Sequence, residues 1–264
     1  MNLGLHGKLA VVTGSTAGIG LGIASALAAE GAHVVINGRT ESRVNRAVEE
    51  LRSRHKSAQI RGIAGDLGTA EGVAAFVREV PQADILINNL GIFAVKAFPD
   101  IPDSDWLRFF EVNVMSGVRL TRHYLSGMLQ KNWGRVIFIS SESAQQIPKE
   151  MIHYSMTKTA QLAIARGVAQ TVAGTGVTVN SILLGPTASE GVETFVADFA
   201  KQQGISAQEF EKQFFVNVRP TSLLKRFETP EEVAAVVAFV ASAQGAVING
   251  AAVRAEGGVV NSIL

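Results

Sequence analysis

The sequence predicts an α/β fold in which a single parallel sheet is wound on both faces by helices. Three observations predict it. Short runs of Val, Ile, Leu and Ala alternate with longer amphipathic runs along all 264 residues, the order expected of repeated strand–helix units. The strand-like runs are almost continuously apolar, as they must be when both faces of a sheet are covered. A glycine-rich turn follows the first of them and opens a helix, where unpaired N–H groups gather. No linker divides the chain and no internal repeat appears, so residues 1–264 are read as one domain.

The elements follow in order. Leu9–Thr13 is the first strand, and Gly18–Glu30 is the helix behind it, stopped by Gly31. His33–Asn37 and Glu41–His55 form the second pair, and Ile60–Ala64 and Ala70–Val80 the third. Ile85–Asn88 is the fourth strand. The long amphipathic run Asp103–Gln130 leads to the fifth, Arg135–Ser140, with Ser141 at its end. Helix Tyr154–Gly174 precedes strand Val177–Leu183. Pro230 sits just inside the start of the last helix, Pro230–Ala241, and Ala251–Arg254 is the seventh strand. Residues 187–228 break the rhythm with two helix-like pieces, Glu190–Gln203 and Ser206–Val218, carrying Phe195, Phe199, Phe210, Phe214 and Phe215. Such an insertion suits a lid over an apolar ligand. The plainer reading makes these rings core contacts of an extra helix pair.

Composition excludes several classes of function. Net charge is +1, and no basic run marks a nucleic-acid surface. There is no cysteine, hence no disulfide or thiolate chemistry, and the five histidines lack metal-ligand spacing. Apolar residues make up 47% and charged residues 18%, with mean hydropathy +0.22, as a large interior or a covered oligomer face requires. Two uncharged stretches, Gly167–Ser189 and Val233–Val253, are long enough to suggest a membrane. Gly, Asn, Gln, Ser and Thr interrupt both, so both are read as core. Met1–Lys8 lacks the apolar region of a signal peptide, and the expected location is cytoplasmic.

The chemistry centres on Ser141, Tyr154 and Lys158. Residues four apart share one helix face, so the phenol and the ammonium project into the same space. A phenol near pKa 10 is a reluctant proton donor and a poor base. A cation beside it favours phenolate and makes it usable in acid–base work. Ser141, delivered by a strand end, adds a neutral donor. An isolated Tyr-x3-Lys would more simply be an ordinary surface pair.

The first strand runs into Thr13-Gly14-Ser15-Thr16-Ala17-Gly18-Ile19-Gly20. Its glycines let the backbone approach a bulky anion at a helix start. The second strand should end at the adenosine ribose. There the chain has Asn37-Gly38-Arg39-Thr40, an arginine and no acid. A carboxylate would repel a 2′-phosphate, whereas a guanidinium binds one. NADP(H) is therefore expected over NAD(H), with Arg39, Asn37 and Thr40 at the phosphate and Arg43 as a second candidate. Asp66 and Leu67 follow the third strand, with Asp66 suited to an adenine amino group. Asn88, Asn89 and Gly91 end the fourth.

Together these residues resemble the short-chain dehydrogenase/reductase family over essentially the whole chain. The resemblance rests on Thr13–Gly20, Asp66, Asn88-Asn89-x-Gly91, Asn113, Ser141, Tyr154, Lys158, Asn180 and Gly185-Pro186-Thr187. It implies a Rossmann-type fold. It also implies that Tyr154 is the general acid for ketone reduction, that Lys158 bonds the nicotinamide ribose and lowers the Tyr154 pKa, and that Ser141 polarises the carbonyl. Asn113 would hold a water linking Lys158 to solvent, and Gly185, Pro186 and Thr187 would line the nicotinamide side. Two departures stand out: Leu90 replaces the usual alanine of the Asn-Asn-Ala-Gly motif, and the loop after strand six reads Leu184-Gly185-Pro186. The expected activity is NADPH-dependent reduction of a small apolar ketone, similar to 3-oxoacyl carrier-protein reductases. Few cations lie where an acidic carrier would dock. The alternatives are an alcohol or sugar dehydrogenase running oxidatively, or a catalytically idle dinucleotide sensor. The resemblance further implies a homo-oligomer, tetramer or dimer, with the apolar tail Val259–Leu264 covered.

Overall fold

The computed structural model describes residues 2–192, 196 and 204–263. Seven parallel strands form one sheet: β1 Leu9–Val12, β2 His33–Gly38, β3 Ile60–Ala64, β4 Ile85–Asn88, β5 Gly134–Ser141, β6 Val177–Leu184 and β7 Ala252–Ala255. Their spatial order is β3-β2-β1-β4-β5-β6-β7. The direction of winding reverses between β1 and β4, which leaves a crevice beyond their carboxyl ends.

Successive strand residues point to opposite faces, and both faces are buried. Ala10, Val12, Ile36, Ile87 and Ile137 meet helices α1 Gly18–Ala29 and α2 Glu41–Arg54 on one side. Val11, Val35, Leu86 and Val136 meet α3 Ala70–Glu79 and α5 Ser116–Gln130 on the other. Helix α6 Ile152–Thr171 joins the second face through Ala165 and Ala169. Helix α8 Pro230–Val240 joins the first through Val233, Val237 and Val240. It starts on a capping box, Thr229 with Glu232, and has Pro230 in its first turn. Among the described residues, no helix is long and apolar enough to cross a membrane.

The run expected as one helix over Asp103–Gln130 is three pieces. Helix α4 Asp103–Phe110 widens into a π-helical turn, Glu111–Met115, before α5 resumes. Such turns are frequent at functional sites, and this one carries Asn113. Of the insertion, α7 Ala207–Asn217 is present and capped by Ser206. Most of the expected helix Glu190–Gln203, with Phe195 and Phe199, lies outside the described residues. In the tail, Val259 and Val260 are buried within the chain itself, while Ile263 is 98% exposed.

Candidate active site

Strand β5 ends in extended backbone at Ser141, and Glu142–Ala144 then turns away. The Ser141 hydroxyl accepts from Ser143 N at 3.1 Å and lies near enough to the Tyr154 phenol to act on its proton affinity. Helix α6 begins two residues earlier than its periodicity suggests, which puts Tyr154 in the first turn and Lys158 one turn on. Lys158 Nζ lies 5.5 Å from the Tyr154 ring centroid and donates to the Ile139 carbonyl at 2.8 Å. Ser140 Oγ donates to the Lys158 carbonyl at 2.9 Å, clamping strand to helix. The Phe93 ring stands edge-on to Tyr154 at 6.5 Å. The three groups thus converge as the sequence predicts.

Their proton affinities depart from expectation. Burial pushes the Tyr154 phenol up to about 12; the Ser141 hydroxyl and the Arg219 charge oppose this, and the Glu142 charge adds to it. Burial also brings Lys158 down to about 8. The ammonium was expected to lower the phenol, but desolvation decides the direction for both groups. The phenol therefore keeps its proton at neutral pH, as a proton donor requires.

Asn113 ties three segments together. Its Oδ1 accepts from Ile92 N at 2.8 Å, and its Nδ2 donates to the Ile92 carbonyl at 2.9 Å and to Thr157 Oγ1 at 3.0 Å. Its main-chain carbonyl accepts from Gln161 Nε2 at 2.7 Å. A Cβ at Gly91 would sit 3.5 Å from Asn113 Oδ1 and 3.6 Å from Lys158 Nζ. The π turn therefore holds residues 91–92 beside the lysine.

The nucleotide end is a cradle of backbone. Gly14 and Gly18 have φ of +59° and +53°, which L side chains rarely adopt, and α1 starts at Gly18. Ser15 is buried; its hydroxyl donates to the Val12 carbonyl at 2.6 Å and accepts from Asn37 N at 3.0 Å. Asn89 Nδ2 donates to the carbonyls of Thr13 and Gly14 at 2.9 and 3.0 Å. These side chains shape the loop and leave its outer surface to Thr16, Gly18 and Ile19, while Gly20 is buried, where a Cβ would meet Asn89 Nδ2 and the Gly14 carbonyl oxygen, both at 2.5 Å. Asn37 does not reach toward a phosphate. It is 1% exposed, and its Nδ2 donates to the carbonyls of Ile63 and Gly65, both at 3.1 Å. Arg39 and Thr40 are exposed on the turn beside it. Arg43 pairs with Glu190 at 2.5 Å. Asp66 is exposed with Oδ1 accepting from Gly68 N at 2.9 Å, and Leu67 is core. A glycine cradle open at a helix start, flanked by an exposed arginine, fits a phosphorylated dinucleotide.

After β6 the chain runs through Gly185, Pro186 and Thr187 toward that cradle. Ser189 reaches it: a Cβ at Gly18 would meet the Ser189 Cβ at 3.0 Å. Asn180 lies below, tying β6 to residues 248–251 through the Ile248 carbonyl and Ala251 N. In α7, Phe214 packs on Phe210 and Phe215, and Phe214 and Phe215 pack on Phe227. For these three rings the plainer reading holds: they form the helix's own small core.

Sequence reasoning missed the charges nearby. Glu142 follows Ser141, is buried, and accepts from Arg219 Nε at 2.7 Å. Arg219 follows α7, so the pair joins the insertion to the catalytic strand. No local pattern signals a contact across 77 positions. Thr157, Gln161 and Glu228 were also unread.

A family model described as short chain dehydrogenase matches residues 8–200. An uncharacterized oxidoreductase of Bacillus subtilis, YvaG, is 52% identical over 263 residues, covering all of both chains. A D-beta-hydroxybutyrate dehydrogenase of Cupriavidus necator is 33% identical over 258 residues, covering 96% of this chain and 98% of its own. The crystal structure of L-sorbose reductase from Gluconobacter frateurii, complexed with NADPH and L-sorbose, superposes with a TM-score of 0.94 at 31% identity, covering all of both chains.

Proposed function

Since this chain belongs to the short-chain dehydrogenase family, whose members are NAD(P)-dependent oxidoreductases, we propose that it reduces a small ketone to a secondary alcohol with NADPH. The observation that carries this reading is the convergence at a strand tip of the Ser141 hydroxyl, a Tyr154 phenol that keeps its proton and the Lys158 ammonium one turn away.

Ser141 holds the substrate carbonyl oxygen and withdraws electron density from its carbon. Tyr154 donates its proton to that oxygen as charge develops there. Lys158, charged below about pH 8, bonds the nicotinamide ribose and favours the departure of the phenol proton. Asn113 keeps residues 91–92 and α6 in register with the lysine and holds the water that relays protons to it. When bound, the reduced nicotinamide supplies hydride from its C4. Thr16, Gly18 and Ile19 would hold its phosphates, with Gly14, Ser15, Gly20 and Asn89 shaping that turn. Arg39 and Thr40 would hold the 2′-phosphate, Asp66 and the backbone at Leu67 the adenine, and Gly91, Tyr154, Lys158, Gly185, Pro186 and Thr187 the nicotinamide half. The likeness to an enzyme solved with NADPH is in keeping with that choice.

The insertion offers less to an apolar substrate than its phenylalanines suggest. With Phe214 and Phe215 packed on Phe227, the charged pair Glu142–Arg219 near Tyr154 favours a ketone bearing hydroxyl groups. The likeness to an enzyme solved with L-sorbose is in keeping with this. The oxidative direction uses the same groups and remains the second reading. We also propose a homo-oligomer, tetramer or dimer, because Leu107 on α4 is 72% exposed and Phe110, three residues on, is 40% exposed; a cytoplasmic location is part of the same proposal. The test is NADPH and NADH consumption across ketoses, 3-oxo acids, apolar ketones and acyl thioesters. NADPH-linked reduction of a hydroxyketone supports the reading. Nucleotide binding with no turnover of any carbonyl overturns it in favour of an idle sensor.

A further inference from the structure

Glu228 is an acid with no place in the chemistry above, yet it sits 6% exposed against the Gly185–Thr187 loop. Its Oε2 accepts from Gly185 N at 3.3 Å and stands 3.4 Å from Thr187 Oγ1, whose single proton it shares with the nearer Gly185 carbonyl at 3.0 Å. Its backbone bridges the same loop: Glu228 N donates to the Pro186 carbonyl at 2.9 Å, and Ala188 N donates to the Glu228 carbonyl at 2.8 Å. The fit leaves no slack. A Cβ at Gly185 would lie 2.5 Å from Glu228 Oε1 and 2.7 Å from the Glu256 carbonyl oxygen, so Gly185 is the residue that admits this carboxyl group.

The surroundings discourage a second charge. Glu256, after β7, is itself buried and held by Arg254 at 2.8 Å and by Val260 N at 3.1 Å. Glu232 on α8 is engaged by Arg226 at 2.6 Å and by Thr229 N at 2.9 Å. Burial, Glu256 and Glu232 push the Glu228 carboxyl up to about 7, against the pull of its bonds to Gly185 and Thr187. Arg226, in the same loop, also feels the Glu228 charge. A folded-state pKa above the unfolded value means that the stability gained from proton uptake is complete below about pH 4.5 and is lost as pH rises through about 7. Ionised Glu228 therefore destabilises the fold. A carboxyl kept at that disadvantage where an amide would fit points to a task that the amide cannot perform.

We propose that Glu228 is a positioning residue for the nicotinamide-side loop, its carboxylate holding Gly185 N and the Thr187 hydroxyl in the arrangement that receives the nicotinamide half of the cofactor. The proposal rests on the cofactor reading above. As a carboxylate, Glu228 can only accept, so it holds Gly185 N and draws the Thr187 proton away from the Gly185 carbonyl, leaving the Thr187 oxygen free to accept from an incoming amide. Once protonated, it becomes a donor as well and grips the loop less well. Glu228→Gln keeps the shape but presents one acceptor and cannot titrate.

The test compares two ligands by fluorescence or calorimetric titration from pH 5.5 to 8.5. NADPH reaches the loop. Adenosine 2′,5′-bisphosphate carries only the adenosine end, so the ratio of the two affinities cancels the titration of the 2′-phosphate, and the titration of the bisphosphate's own 5′-phosphate cancels when the ratio of the variant is compared with that of the wild type. In the wild type this ratio should rise about threefold to tenfold through pH 7, the size of one hydrogen bond. In Glu228→Gln the ratio should be low and this rise should be missing, with bisphosphate affinity as in the wild type; the fall near pH 8 that follows Lys158 should be common to both proteins. The variant's Tm should exceed wild type at pH 8.5 and match it at pH 4.5. A wild-type ratio profile in Glu228→Gln overturns the proposal, as does a parallel loss of both affinities, which marks a merely structural role. If the wild type binds neither ligand, the cofactor reading falls too; if it binds both, only the role of Glu228 is in question.

Discussion

The two ends of the cofactor crevice are built on opposite plans. At the catalytic end Tyr154, Lys158, Asn113 and Glu228 are buried or half-buried, and each is held by hydrogen bonds from another part of the chain. At the adenosine end Arg39, Thr40 and Asp66 stand in solvent, and the pair Arg43–Glu190 is exposed on both sides. The difference follows from what each end must do. Proton transfer needs groups whose proton affinities burial has moved, whereas capture of a phosphate needs only a charge in the right place. Damage at the first end should lower rate and stability together. Damage at the second should change affinity, selectivity and salt dependence alone.

The largest effect should come from the phenol. Tyr154→Phe should lower kcat by roughly 10²–10⁴-fold with NADPH affinity unchanged, measured by steady-state kinetics beside a binding titration. Asn113→Ala should lower both kcat and stability, the latter by about 1–3 kcal/mol in urea unfolding, because buried partners on Ile92 and Thr157 lose their bonds. If its stability matches wild type, the catalytic end is less interlocked than the hydrogen bonds indicate. Arg39→Ala should weaken NADPH by roughly tenfold or more and leave NADH unchanged, with kcat and Tm as in wild type. An unaltered NADPH/NADH preference would place the phosphate site elsewhere on the turn. Reduction in the wild type should fall as pH rises past about 8, where Lys158 loses its charge, by at most about tenfold per unit for one titrating group. Lys158→Arg should move that limb upward. The smallest effect belongs to Arg43→Ala, whose exposed pair should leave stability within about twofold in the folding constant. A large loss of NADPH affinity there would give Arg43 a share in the 2′-phosphate site.

Most of the scaffold and the reacting groups were legible because they are local. Alternating apolar runs gave all seven strands within a residue or two at their ends. Ser141, Tyr154 and Lys158 could be read because a strand end and a single helical turn fix their relations. What was not legible depends on contacts far apart in sequence. Asn37 looked like a phosphate ligand until its amide hydrogens were found on Ile63 and Gly65, across the neighbouring strand. The π turn at Asn113 leaves no mark in periodicity, since one extra residue per turn hardly disturbs an amphipathic pattern. The phenylalanines of α7 were read by composition, whereas Phe227, beyond the helix, decides where they pack. Glu228 resembled any acid before a helix, and only the fold sets it against Gly185.

The chain has two tyrosines, and the other, Tyr124, is buried with its hydroxyl on the Val80 carbonyl at 2.8 Å. Ultraviolet titration of phenolate in the free protein, wild type minus Tyr154→Phe, therefore reads Tyr154 alone. Desolvation as the governing influence predicts no phenolate from Tyr154 below about pH 10, in line with a value near 12. Phenolate forming near pH 7 would contradict the account and show that the Lys158 charge, not burial, sets the state of the proton donor.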